Sequence, residues 1–203
     1  MTARWLAGHE HLGDLAAALD SLALEVDRLG DWGRRLGVVL LGGGRLLAAG
    51  NGGSAAEAQH LTAELVGRYV GERRPLSAIA LHAETSTVTA VANDYGFDEV
   101  FARQVAAHGR PGDVFIGIST SGSSANVVRA CRAAREVGMT TWALTGPGPN
   151  DLAFESDEAV CVGGPTVAAV QEAHLVACHL LCQAVDEAVA GAARDAAAVG
   201  GRA

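Results

Sequence analysis

Between Leu46 and Arg68 the chain reads "LLAAGNGGSAAEAQHLTAELVGR", a short apolar run, a glycine-rich turn and a helical stretch. This pattern predicts a buried strand feeding a helix through a turn whose backbone N–H groups stay free for an anion. The unit returns in a second form at "DVFIGISTSGSSANVVRACRAAREVG", where strand Asp113–Ser119 enters a serine-rich turn and a helix from about Ser124 to Val137. Strand, turn and helix repeated in this way imply a parallel sheet covered on both faces, the doubly wound α/β architecture. Ligands of such sheets bind beyond the carboxyl ends of the strands, where both turns lie.

The rest of the chain is expected to follow suit. Further strands are expected at Leu76–His82, Met139–Gly146 and Glu158–Gly163, giving five in all. Thr85–Ala92 and Asp98–Ala107 are expected as short helices, and the last helix as Thr166–Val189, followed by a frayed tail. Before the first strand, Leu12, Leu15, Leu19, Leu22, Val26, Leu29, Leu36 and Leu40 recur at steps of three and four, interrupted at Gly33. This predicts a long N-terminal amphipathic helix over residues 9–43, packed on its own domain, on a partner subunit, or on both.

Composition narrows the function. The 203 residues suit one domain spanning 1–203, and a net charge of −8 argues against a nucleic-acid surface, so an anionic ligand must be captured by local donors. All 15 basic residues are arginine, which removes lysine Schiff-base chemistry, a pyridoxal-phosphate anchor and a P-loop lysine. Cys131, Cys161, Cys178 and Cys182 show no C-x-x-C spacing and read as reduced buried thiols. No signal peptide and no membrane-spanning run is expected, which places the chain in the cytoplasm.

Three groups of residues can carry chemistry. His60 and Glu64, four apart on the first helix, can hold a metal or divide a proton transfer; a solvated surface pair has the same spacing. Ser119, Thr120, Ser121, Ser123 and Ser124 surround one glycine at a helix N-terminus and can hold a phosphate dianion; an ordinary serine N-cap is the plainer reading. In the apolar last helix stand Gln171, Glu172, His174 and His179, with His174 suited to a satisfied core position and His179 to a cleft. His9, His11, His82 and His108 read as surface or loop residues. Neither turn carries G-x-G-x-x-G, so a dinucleotide is not favoured.

Taken in order, "GNGGSAAEAQHLTAEL", "AVANDYGF", "GISTSGSSANVVRA" and "VQEAHLVACH" resemble the phosphoheptose isomerases of the sugar isomerase (SIS) class, over about residues 46–189. The resemblance implies a flavodoxin-like SIS fold. It also implies an aldose–ketose isomerase that interconverts sedoheptulose 7-phosphate and D-glycero-D-manno-heptose 7-phosphate through a cis-enediol. The family works as a homotetramer with active sites between subunits. The implied general base is Glu64 and the implied acid His179. Zinc, one per site, would be held by His60, Glu64, Gln171 and His179. Phosphate would fall to Ser119, Ser121 and Ser124 with Ser54 in support, around the turn of Gly52 and Gly53. Sugar contacts would come from Asn51, Asn93, Asp94, Thr120 and Gln171, and Arg68 is a further family position. Gln171 and His179 are eight residues apart, about 12 Å along a straight helix, which is wide for two ligands of one ion.

One stretch departs from the pattern. Where relatives carry an aspartate and an arginine, this chain has Thr166, Ala168, Ala169 and Val170, which leaves the exact sugar open. Two other functions share the motifs: a non-catalytic SIS tetramer that binds the bacterial replication initiator, and an isomerase or sensor for another sugar phosphate. Retention of His60, Glu64, Gln171 and His179 together favours the enzyme. Exposed apolar residues on the N-terminal helix would favour a partner role.

Overall fold

The structure, a computed structural model, describes residues 5–200, with side chains described to Asp195. Five short apolar runs form one all-parallel sheet: β1 Leu46–Ala49, β2 Ala78–Ala80, β3 Val114–Ser119, β4 Thr140–Thr145 and β5 Glu158–Cys161. Their order is β2-β1-β3-β4-β5. The switch point therefore lies between β1 and β3, the two strands that lead into the glycine and serine turns.

Side chains alternate across the sheet as a pleat requires. Leu46, Ala48, Val114, Ile116, Ile118, Trp142 and Leu144 join the core on one face, beneath helices α1 (Leu6–Ala23), α2 (Val26–Leu41), α3 (Gly53–Val66) and α8 (Val167–Gly200). Leu47, Ala49, Phe115 and Ala143 join the core on the other, beneath α5 (Ala102–His108), α6 (Ala125–Val137) and α7 (Asp151–Glu155). Strands buried on both faces explain the near-continuous apolar runs. Helix α4 (Thr85–Tyr95), by contrast, buries none of its residues.

The N-terminal stripe is two helices, not one over 9–43. The break falls at Leu24 and Glu25, whose N–H groups bond back to Ser21 and Leu22. Ser21 is there engaged by the loop after β5, its hydroxyl accepting from Gly163 N at 2.8 Å. The turn lets α2 lie along α8. Gly33 is a contact point rather than an interruption: a Cβ there would strike the Ala184 methyl and stand 2.9 Å from the Leu181 carbonyl. Leu29, Trp32, Leu36 and Leu40 are buried beside it, while Leu12 and Leu24 remain exposed.

The longest helix is the C-terminal one. α8 has 34 residues and continues through the alanine-rich stretch expected as a frayed tail, as suits the best helix former. It is also long and apolar enough to cross a bilayer, against the expectation that no such run exists. Here that apolarity serves the core, for Ala173, Ala177, Leu181 and Val185 pack in the cluster under α2 and α3. Smaller differences are local. Strand β2 keeps only three residues, α3 stops at Val66, Asp98–Glu99 belong to a 3-10 turn ahead of α5, and α7 was not foreseen. Helix α7 is short but capped, Asn150 accepting from Ala153 N at 3.0 Å.

Candidate active site

The serine turn is built by its own hydroxyls. Ser119 Oγ lies 3.1 Å from Ser124 Oγ and 3.4 Å from Ser121 Oγ, and it accepts from Gly122 N at 3.2 Å. Ser121 Oγ accepts in turn from Ser123 N at 3.2 Å. Gly122 has φ +62°, a conformation that favours glycine, and its missing side chain leaves room for Asn150. Ser124 occupies the N-cap of α6, yet its hydroxyl caps no N–H of that helix. The helix start therefore keeps donors and a positive dipole end beside three hydroxyls. Such donors can take an anion, while the Thr120 carbonyl lies against Gly146, where a Cβ would strike it.

The two turns are tied together. Asn51, at the head of the glycine turn, and Asn126, in the first turn of α6, exchange amide hydrogen bonds of 2.8 and 2.9 Å. The Asn51 side chain, expected on sugar hydroxyls, is thus a strut between loops. Asn126 is buried and was missed from sequence, where nothing distinguishes it from any polar residue in a first helical turn. Gly52, at φ +56°, frees the start of α3, and Ser54 is buried immediately behind it.

Helices α3 and α8 run side by side in the same direction. Gly53 meets Gln171, so closely that a Cβ would stand 2.5 Å from the amide nitrogen. One turn on, Glu57 faces His174, Oε2 to Nδ1 3.9 Å. Two turns on, His60 Nε2 meets His179 Nε2 at 2.9 Å, and Glu64 Oε1 stands 3.6 Å from the same His60 nitrogen. The Tyr69 ring leans over His179 with centroids 5.6 Å apart. Gly53, Glu57, His60, Gln171, Glu172 and His179 line one cavity of about 390 Å³. A larger cleft of about 580 Å³ between the 71–74 loop and α8 contains none of the expected site residues.

Not all expected residues gather here. Because the helices keep step, Gln171 stays with Gly53, about 12 Å along α8 from His179. The donors fit zinc in kind, two imidazoles with a carboxylate beside them. In position the fit is that of the His60–His179 pair: among the described residues no three His, Cys, Asp or Glu side chains close around one point. Asn93 and Asp94 lie exposed at the end of α4, bonded to each other at 2.8 Å. Arg68 is exposed as well and reaches Val70 O at 3.3 Å. In the departing stretch, Ala169 and Val170 are buried in the core, and Thr166 Oγ1 accepts from Ala169 N at 3.4 Å near the start of α8.

Glu57 and His174 are a buried pair whose partnership sequence did not show. Both have less than a tenth of their surface exposed. His174 Nε2 donates to the Thr145 carbonyl at 3.0 Å, which leaves the Nδ1 lone pair facing the carboxyl. Burial pushes the Glu57 carboxyl up to about 8 and the His174 imidazole down to about 4, the latter opposed by the Thr145 bond. At neutral pH both are therefore uncharged, a protonated acid against a neutral ring. His174 is the core histidine expected, satisfied at Nε2 and left without a partner at Nδ1, and His179, half-buried, lines the cavity.

Comparison with known proteins agrees with this fold. Residues 14–146 match the SIS domain. The phosphoheptose isomerase of Streptomyces coelicolor is 59% identical over 190 residues, 94% of this chain and 82% of that one. That of Rhodospirillum rubrum is 53% identical over 150 residues, 74% of this chain and 80% of that one. Among solved structures, a phosphoheptose isomerase from Francisella tularensis superimposes with a TM-score of 0.83 at 34% identity, covering 92% of this chain and all of that one. The family resemblance seen in the four motifs thus extends over nearly the whole chain, and the chain belongs to the SIS-domain family and, within it, to the phosphoheptose isomerases.

Proposed function

We propose that this chain is an aldose–ketose isomerase converting sedoheptulose 7-phosphate to D-glycero-D-manno-heptose 7-phosphate in heptose biosynthesis, with Glu64 and His179 as its acid–base pair. One observation carries the reading. The serine turn is tied through Asn126 and Asn51 to the glycine turn that opens α3, and the His60/Glu64/His179 group stands farther along that helix, Gly53 to His60 being about 10 Å. A seven-carbon sugar phosphate has that layout, phosphate at one end and the reacting C1 and C2 at the other.

Phosphate binds to the serine hydroxyls and free N–H groups, which anchors the substrate without a cation. Glu64 removes a proton from C1 of the ketose while His179 gives a proton to the C2 oxygen, forming the cis-enediol. Glu64, its proton open to exchange with solvent, then protonates C2, and the C1 hydroxyl gives its proton back to His179, completing the aldose and restoring both groups. His60 sits between the two groups and fixes the His179 ring through their nitrogen contact. His60 and His179, with Glu64 beside them, would hold zinc, which supplies polarisation of the substrate oxygens when bound.

The assembly we propose is a cytoplasmic homotetramer with sites completed between subunits. Support comes from α4, which only half-buries Val88, Val91 and Ala92 against the core and carries Asn93, Asp94 and the exposed Tyr95, with Phe97 just beyond it. Residues expected to touch the sugar, yet outside the lining of their own chain's cavity, suit a neighbour's cavity. The exposed Trp5, Leu6 and Leu12 of the N-terminal segment would serve a partner protein on the scaffold reading, and serve subunit contact equally on this one. Incubation of the purified protein with sedoheptulose 7-phosphate, followed by NMR, tests the activity. Appearance of the aldose supports it, and none from folded protein, with or without added zinc, overturns it.

A further inference from the structure

Beyond the cavity, one buried charge is spent on holding the seam. The Arg73 side chain is only 5% exposed, and its guanidinium meets Asp186 of α8, Nε to Oδ1 2.7 Å. From the same group, Nη2 donates to the Glu64 carbonyl at 2.8 Å and Nη1 to the Leu65 carbonyl at 2.9 Å. These carbonyls belong to the last turn of α3, where helix oxygens lack partners and the dipole favours a cation. A plain helix cap would need no more. Arg73 also reaches across to the other helix, and Asp186 accepts from Val70 N at 3.4 Å, so the 70–73 loop is laced to both.

The placement is specific. Asp186 lies seven residues beyond His179, two turns or about 10 Å along α8, and the Glu64 peptide held by Arg73 is that of the base itself. At the other end of the seam the contact of Gly53 with Gln171 sets the approach of the helices. The His60–His179 nitrogen contact lies between these two fixed points. We infer that Arg73 and Asp186 are positioning residues for the isomerisation, clamping the end of α3 to α8 so that Glu64 and His179 keep their relative placement. The inference deepens the isomerase reading and rests on it. A flexible lysine carries the charge but not the planar fork, and so should not replace Arg73.

The test compares wild type with Arg73→Lys, Arg73→Gln and Asp186→Asn in the full chain. The readouts are kcat and KM on sedoheptulose 7-phosphate, affinity for inorganic phosphate, and the ¹⁵N ring signals of His60 and His179. Loss of placement near 1 Å should lower kcat about 10- to 100-fold, with KM and phosphate affinity held and both ring signals moved. Full kcat with unmoved rings would overturn the clamp, as would kcat lost only in proportion to the folded fraction. Should single variants fail to fold, Arg73→Met with Asp186→Leu removes both charges while keeping the seam packed, and the same split is expected. A wild type without turnover would instead remove the isomerase reading, and the ring signals would still decide the clamp.

Discussion

The serine turn and the α3–α8 seam are both parts of one site, yet they are built in opposite ways. In the turn, the residues that shape the anion site lie within six positions of one another and hydrogen-bond among themselves. In the seam, the decisive contact joins His60 to His179 across more than half the chain, and the Tyr69 ring that leans on His179 comes from the loop after α3. A local loop needs only its own residues to take shape. A seam between helices depends on everything that sets their distance, from Gly53 against Gln171 to Gly33 against Ala184. Binding should therefore tolerate damage elsewhere in the fold better than catalysis does.

The largest effect that separates the two regions is expected at the base. Glu64→Gln should lower kcat by about 10³-fold or more, within the range of positioned acid–base catalysis, while phosphate affinity and folding hold. Steady-state kinetics beside phosphate titration would check it, and unchanged turnover would remove Glu64 from the mechanism. In the turn the reverse split is expected. Ser121→Ala and Ser124→Ala each remove a hydrogen bond to a charged group and should raise KM about 10-fold with kcat nearly unchanged, since ground and transition states share that bond. A fall in kcat alone would show that the turn takes part in chemistry rather than anchoring.

Much of this was legible in the chain. The two strand–turn–helix units implied the sheet and the two turns at its carboxyl edge, because each signal is local. Glu64 and His60 were legible as an i, i+4 pair, and His179 by its place in an apolar helix that has no other use for it. The break at Leu24 was not legible, since the apolar stripe continues through it and only the demand of α8 for a close neighbour turns the chain. The spread of Gln171 from His179 could be computed from helix rise, and the structure keeps it. Asn126 and the partnership of Glu57 with His174 were hidden because a polar residue's buried partner lies on another element, at no fixed spacing.

A smaller effect is expected from that hidden pair, and it is read in stability rather than rate. Glu57 holds its proton to about pH 8 when folded and, near 4.5, gives it up when unfolded, so stability falls as pH rises through that window. His174 acts oppositely: its folded value near 4 lies below the ordinary 6.5, so stability rises with pH between them. The two slopes offset between about 4.5 and 6.5, leaving a decline from 6.5 to 8 of at most about 1.4 kcal/mol per pH unit. Glu57→Gln keeps a neutral group in place and should abolish that decline, which denaturant melts across pH would show. A decline that survives the substitution would show that it does not come from Glu57.

The most direct test of the central claim is turnover of sedoheptulose 7-phosphate in deuterium oxide with NMR detection at C2 of the product. Proton transfer through Glu64 and a cis-enediol predicts solvent deuterium at C2 of the aldose, and loss of both product and exchange in Glu64→Gln. Product formed by the wild type with only C1-derived protium at C2, and no deuterium there, would contradict it, as would deuterium incorporation at an undiminished rate without Glu64.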